Sequence, residues 1–473
     1  MRFMLRGVLK ITLMYCSTYT YGWEPDILST AEGISNRHFR ELDGAGYPCL
    51  FTSLPEQISL EETIERILCH DPQIRLAWAE SRVQAARVGI SKSAYLPRLD
   101  GSVSRYVDNT KKIYHDRPDL SSEGNSSNAT NRLSLNWVLI DFGRRDAALR
   151  NAQELLQAAN ANQNAALQKA FISAAQVYYE ALAHQQRLSI STSVVQLATE
   201  NLKTADAKYK SGAAALSDRL QAQTALSQAR LHQLIDAGNF KTTMGLIALR
   251  IGIAPDVTLR LNGELTELAN VHFLKSVDEL LLLANKEHPA LLAAKSRVNA
   301  AEALVDEQRA AGMPTLSLTA SLSRTHIDQS FGQYRSARDH SRGIGLELKI
   351  PLFDGFERNY QIRNARARVE VEEAELSSST QQISIEVWAS YQSLSVETKS
   401  LEQIGELVRQ SRQSLEVVQG RYRAGVGSML ELLNALTAYS AAENQHIQTL
   451  NAWQISRLRL AASLGRLGFW TMK

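Results

Sequence analysis

The sequence predicts a mostly α fold with a small β part, built from a duplicated half and long antiparallel coiled-coil helices. Three observations predict it. The chain repeats itself in register. Long proline-free stretches carry apolar residues every seven positions. A short region of each half switches to period-two alternation.

Pro72 and Pro97 return as Pro289 and Pro314, each 217 residues later. From Asp141 onward the offset is 213, and Asn151, Tyr178, Tyr209, Gly212 and Gly252 return as Asn364, Tyr391, Tyr422, Gly425 and Gly465. An ungapped offset over so long a stretch suits a helix, because an insertion would rotate every later side chain off its face. The four-residue change falls between Pro97 and Asp141, where a loop absorbs it. Each unit is far longer than a solenoid repeat, so it is a duplicated half.

The organisation follows in chain order. Residues 1–22 read as a signal peptide: Arg2, Arg6 and Lys10 are basic, Ile11 to Tyr15 are mostly apolar, and Thr20-Tyr21-Gly22 offers small residues near a cleavage point. Tyr15 is too bulky to make Cys16 a lipid-attachment site. Residues 23–56 lack periodicity and form an extended arm. The first repeat covers 57–252, a connector 253–275, the second repeat 276–468, and a tail 469–473. After removal of the signal, Cys49 and Cys69 remain, compatible either with one disulfide or with two free thiols.

Within the first repeat, Ser59 and Glu62 make a capping-box pattern, and the helix they open stops near His70-Asp71-Pro72. A longer helix runs from Pro72 to about Tyr95 and ends at Pro97. Leu99, Gly101 and Val103 then alternate with Asp100, Ser102 and Ser104, and Leu133, Leu135, Trp137 and Leu139 with polar neighbours. Gly124-Asn125-Ser126-Ser127 reads as loop, and 105–131 and 324–341 as long polar loops. The second half repeats the alternation at Leu316, Leu318, Ala320 and Leu322, and at Ile344, Leu346, Leu348 and Ile350. Strands of about nine to eleven residues fit a membrane barrel, though a soluble sandwich alternates alike. Four strands cannot close a barrel alone.

The helices carry the clearest periodicity. Leu188, Val195, Leu202 and Tyr209 are spaced by seven, and Leu401, Val408, Leu415 and Tyr422 repeat them. Ser191, Ala198 and Ala205, matched by Ile404, Ser411 and Val418, form the partner seam. No proline interrupts 144–210, a helix of roughly 100 Å. Helices of about 24 and 36 residues nearly match it when stacked, so each half pairs one long helix with two shorter ones.

Composition narrows the function. A net charge of +3 with scattered basic residues argues against nucleic acid. No run of 18 apolar residues suggests a membrane helix, which says nothing of barrel strands. No phosphate-binding loop, hydrolytic triad or cofactor motif stands out, so no enzyme, cofactor or metal is expected. His70 beside Cys69 is a lone pair and reads as structural.

These motifs resemble the TolC family of outer-membrane efflux and secretion channels. The likeness rests on Leu60-Glu61-Glu62, His70-Asp71-Pro72, Tyr95-Leu96-Pro97, Trp137 to Gly143, Ile350 to Gly355, and the pairs Tyr209…Gly212 and Tyr422…Gly425. It covers about 56–468. A Cys49–Cys69 pair resembles the type I secretion branch, including exporters of RTX toxins such as the adenylate cyclase-haemolysin. The resemblance implies a homotrimer with one twelve-stranded transmembrane β-barrel and an α-barrel tunnel in the periplasm. It implies a periplasmic adaptor protein docked at tips Gly212 and Gly425, an inner-membrane ABC transporter, outer-membrane lipid around the barrel, and an exported protein as cargo. Carried over residue by residue, Tyr422 bonds Asp218 at a periplasmic gate, Gly427 replaces a basic latch whose partner position holds Ser217, and Glu431 and Asn434 face the aperture. Opening uncoils the second-half helices. Two other readings stay open: a multidrug efflux duct of the same fold, and a periplasmic coiled-coil structural or adaptor protein without a pore.

Overall fold

The structure is a computed structural model and describes residues 26–34, 56–257, 259–263, 265, 276–329 and 336–467. The first repeat begins with the short strand β1 (Gln57–Ile58), then α1 (Leu60–His70) and α2 (Pro72–Ser93). Strands β2 (Arg98–Lys112) and β3 (Ser122–Ile140) follow, then α3 (Arg144–Lys210) and α4 (Leu216–Arg250). After β4 (Arg260–Leu261) the second repeat runs α5 (Val277–Glu287), α6 (Pro289–Ala310), β5 (Thr315–Gln329), β6 (Ser336–Lys349), α7 (Glu357–Ala424) and α8 (Met429–Ser463). The signal region and Cys49 lie outside the described residues. Part of the arm is described, and it lies along the helices: the Lys92 ammonium donates to the Leu28 carbonyl at 3.1 Å and the Asn160 amide to that of Gly33 at 2.8 Å.

The two halves share their local chemistry. Ser59 and Ser276 cap α1 and α5, each accepting the N–H three residues on, at 3.2 and 3.4 Å. Glu62 does not close the reciprocal half of a capping box; its carboxylate holds Arg66 at 2.7 Å instead. Pro72 and Pro289 occupy the first turn of α2 and α6, where a missing N–H costs nothing. Asp141 and Asp354 each hold an arginine four residues on, Arg145 at 2.8 Å and Arg358 at 3.0 Å, where strand passes into long helix.

The long helix of each half packs beside two shorter ones, α3 against α2 and α4, and α7 against α6 and α8. Helix α3 also meets α6 and α8, which joins the halves. The heptad seam is buried in part: Ala198, Ala205, Leu401, Ile404, Ser411 and Leu415 are buried, while Leu188, Val195, Leu202 and Val408 are half-buried. Alanines there allow close helix approach. Further from the tip, the Tyr178 hydroxyl lies 2.6 Å from the Asn262 carbonyl and 3.1 Å from that of Ile58, tying α3 to the parallel pair β1 and β4.

The remaining strands form one antiparallel sheet in the order β2-β3-β5-β6. These strands have 15, 19, 15 and 14 residues, longer than the sequence pattern suggests. Gly124 to Ser127, expected as loop, lie inside β3, and the expected loops 105–131 and 324–341 are largely strand. The apolar pattern ends there but the ladder continues, supported by polar cross-strand pairs: Asn109 with Asn125 at 2.9 Å, Lys111 with Glu123 at 2.8 Å, and Thr130 with Thr325 at 3.2 Å. The offset of 217 holds from Arg98 and Thr315 to Lys112 and Gln329, so the four-residue change falls beyond them, toward the hairpin.

Register puts the apolar residues on one face. Leu99, Leu135, Ala320 and Ile344 are aligned across the sheet, as are Trp137, Leu318 and Leu346. The opposite face carries Ser134, Asn136, Ser317, Thr319 and Glu347. Leu346 and Leu348 are more than half exposed in the single chain, so the apolar face has no cover within it.

Candidate gate at the helical tip

The end of the molecule opposite the sheet is made by two helix hairpins. Helix α3 stops at Lys210 and α7 at Ala424, each followed by a left-handed glycine, Gly212 at φ 74° and Gly425 at φ 86°. The Gly212 N–H donates to the Tyr209 carbonyl at 3.0 Å and the Gly425 N–H to the Tyr422 carbonyl at 3.1 Å. The next N–H in each turn reaches back to Lys208 at 2.8 Å and Arg421 at 3.1 Å. That is a Schellman-type cap, and it is the physical reason for the Tyr-x-x-Gly spacing.

The duplicated tyrosines diverge in environment. Tyr209 is 37% exposed, with the Arg219 guanidinium 5.6 Å from its ring centre. Tyr422 is 2% exposed and sits among Ala198, Ala205, Met429 and Leu432. The Lys208 ammonium lies 4.3 Å from the Tyr422 ring centre and donates to the Tyr422 carbonyl, so the first hairpin grips the second at this residue. Burial, then the nearby negative charge of Asp218, pushes the Tyr422 phenol above its ordinary value. The structure thus brings Tyr422 and Asp218 together, but without the expected bond: among the described residues the Tyr422 hydroxyl has no hydrogen-bond partner.

The other sequence-predicted residues lie on the same tip. Asp218 and Glu431 are equivalents across the duplication, each the third residue of its helix. Carboxylates there complement the positive end of the helix dipole. Ser428 caps α8 by accepting the Glu431 N–H at 3.2 Å, while the Glu431 carboxylate is 3.9 Å from Arg421. Asn434 is one turn on, exposed on the same face as Glu431. Ser217 is exposed and its hydroxyl is 3.5 Å from Asp218 Oδ1. At Gly427, where the resemblance leads one to expect the loss of a basic residue, there is little room for any side chain: a Cβ there would lie 3.1 Å from the Tyr422 nitrogen.

Sequence reasoning missed Lys208, whose role depends on the pairing of the two hairpins and carries no motif. It also missed the surface cluster in which Asp206 holds Lys210 at 2.6 Å and Arg219 at 3.0 Å. The bonded Lys210 ammonium holds the Asp206 carboxyl below its usual range. A signal existed for the first pair, since Asp206 and Lys210 are four apart on a helix.

Away from the tip, Cys69 is disulfide-bonded, and its expected partner Cys49 lies outside the described residues. His70 Nδ1 is 3.0 Å from the Arg66 carbonyl, and the ring lies against Gly252. Among the described residues no acidic, histidine and cysteine cluster suits a metal, and no helix is long and apolar enough to cross a membrane.

Comparison with known proteins fits this architecture. The family model described as outer membrane efflux protein matches residues 63–245 and 280–466, one block in each repeat. The chain belongs to that family. It is therefore a channel protein of the TolC type, with its sheet at the bacterial outer membrane and its helices in the periplasm. The family is a class of transport ducts rather than of enzymes. Protein CyaE of Bordetella pertussis is 30% identical over 87% of this chain and 85% of its own length. The alkaline protease secretion protein AprF of Pseudomonas aeruginosa is 24% identical over 84% of this chain and 82% of its own. The solved outer membrane protein VceC of Vibrio cholerae shares the fold, with TM-score 0.70 and 20% identity, covering 87% of this chain and 96% of VceC.

Proposed function

We propose that this chain is the outer-membrane duct of a type I secretion system, a passive exit for an exported protein of the RTX-toxin kind. The observation that carries the reading is the 30% identity to Protein CyaE over most of both chains. The cysteine pattern resembling the type I branch supports it, since Cys69 is disulfide-bonded. The working form is a homotrimer in which three sheets close one twelve-stranded barrel and the helices line a tunnel. That assembly gives the uncovered apolar face a lipid environment and the polar face an aqueous lumen.

The chain supplies no energy in this scheme. An inner-membrane ABC transporter does the work, and a periplasmic adaptor docks at the tips around Gly212 and Gly425. The tip is the gate. Tyr422, gripped by Lys208 and close to Asp218, holds the second hairpin inward, with Ser217 beside it. Glu431 and Asn434 form the aperture, giving one ring of three carboxylates and one neutral ring. Adaptor binding biases this two-state element toward separation of α7 and α8 from α3 and α4.

Deletion of the gene tests the reading, with secreted toxin activity and drug sensitivity measured side by side. Loss of toxin export with unchanged drug sensitivity supports it. Drug hypersensitivity with normal toxin export would replace it by an efflux duct, the reading the family description favours.

A further inference from the structure

The apolar face of the sheet changes character sharply toward its hairpin end, the end away from the helices. Successive aligned rows on this face read Leu99, Leu135, Ala320, Ile344, then Gly101, Leu133, Leu322, Arg342. The next two rows are Val103, Asn131, Arg324, His340, and Arg105, Ala129, His326, Arg338. Four arginines thus crowd one face just past the apolar band. Arg324 faces His340 directly and has Arg338 and Arg342 on its two diagonals. Neighbours on such diagonals are about 7–8 Å apart, within reach of long side chains, so three guanidinium groups share one patch of positive charge that a counter-charge would relieve.

Little described in the chain does so. The one acid in the rows adjoining Arg338 is Asp328, a single carboxylate against four guanidinium groups, and it lies 3.2 Å from His326. Arg324 Nε donates to His340 Nδ1 at 3.3 Å, and Arg105 to the Ser127 hydroxyl at 3.4 Å, neither of them a carboxylate. No ion pair joins Arg105, Arg324, Arg338 or Arg342 to a carboxylate among the described residues. The opposite face over this stretch instead carries both signs, with Asp108, Arg132 and Asp339 on separate rows.

We infer that Arg324, Arg338 and Arg342, with Arg105 nearby, form a docking surface for the phosphate groups of an outer-leaflet glycolipid. The inference rests on reading this sheet as part of a membrane barrel with its apolar face toward lipid. Strands run from the helical, periplasmic side toward the hairpins, so the arginines fall at the headgroup level of the outer leaflet. Guanidinium groups bind phosphate oxygens through paired N–H donors, and the apolar band directly below receives the acyl chains. A basic surface bordering an apolar one is the pattern that recognises an anionic lipid head.

The test uses the full-length protein extracted in detergent as its native oligomer. Native mass spectrometry measures retention of diphosphorylated lipid A and of the same lipid stripped of phosphate. Wild type is expected to retain the phosphorylated form at least tenfold more strongly. Arg324→Gln with Arg338→Gln and Arg342→Gln should erase that preference, Arg324→Gln alone should reduce it severalfold, and Arg132→Gln on the opposite face should leave it intact. Planar-bilayer conductance of each preparation reports folding and the barrel reading separately. Conducting wild type with no phosphate preference, or an equal loss in Arg132→Gln, would overturn the lipid surface and leave the channel standing. Failure of wild type to conduct would overturn both.

Discussion

Tyr422 and Tyr209 hold equivalent places in two copies of one motif, yet only Tyr422 is buried between the hairpins. What distinguishes it is Lys208, which meets both its ring and its carbonyl. A cation–π contact and a charge-assisted hydrogen bond at a partly exposed site together contribute about 1–2 kcal/mol. Lys208→Ala should therefore raise the open population of the channel roughly tenfold, read as basal conductance in a planar bilayer. Because the Tyr422 hydroxyl has no hydrogen-bond partner among the described residues, Tyr422→Phe combined with Asp218→Ala should leave basal conductance near wild type; a large rise would mean that the two residues bond in the working channel. Titration gives a separate check. Because the folded-state pKa of Tyr422 is raised, its contribution is fully present below the ordinary tyrosine value near 10 and is lost as pH rises through the higher folded value. Closure should be indifferent to Tyr422 between neutral pH and about 10 and should weaken above it, an effect absent in Tyr422→Phe.

At the scale of elements, the hairpin α7–α8 meets α3–α4 through a seam of small residues and few polar links. Gln419 donates to Asn201 at 3.4 Å, and Arg423 lies 3.5 Å from Glu200 with both side chains more than half exposed. Exposed pairs of that kind contribute little, so close packing holds the hairpins together. Ala205 is fully buried in the seam, and Ala205→Leu should cost about 1–3 kcal/mol through overpacking and raise conductance. Ala207→Leu, on the exposed side of the same helix, should change neither. Much of this level was legible in the sequence. The heptads, Ser59, Pro72, Pro289 and the two tip glycines act locally, and their chemistry sets helix boundaries wherever they occur. The hairpin ends of the strands were not legible, because Gly124 to Ser127 carry no apolar pattern and are strand only through pairing with β2 and β5. Nor was the grip of Lys208 on Tyr422, two residues 214 positions apart that the fold brings together.

For the whole molecule, the decisive fact is an apolar sheet face left uncovered by a single chain. Lipid contact predicts an asymmetry between adjacent residues. Leu318→Arg, on the apolar face, should cost about 2–4 kcal/mol near the bilayer midplane and lower the amount of trimer in outer-membrane fractions. Ser317→Arg, on the opposite face, should assemble normally and alter conductance instead. Equal effects of the two would mean that the face is buried against protein. The proposed channel joins a barrel at one end to a closed aperture at the other, and single-channel recording of the purified protein in a planar bilayer reads both. With divalent cations added to the helical side, wild type should show discrete openings that the cations block at a ring of Glu431 carboxylates, and Glu431→Ala should relieve the block. Openings insensitive to divalents, or equally blocked in Glu431→Ala, would contradict the aperture, and a folded trimer that never conducts would contradict the channel.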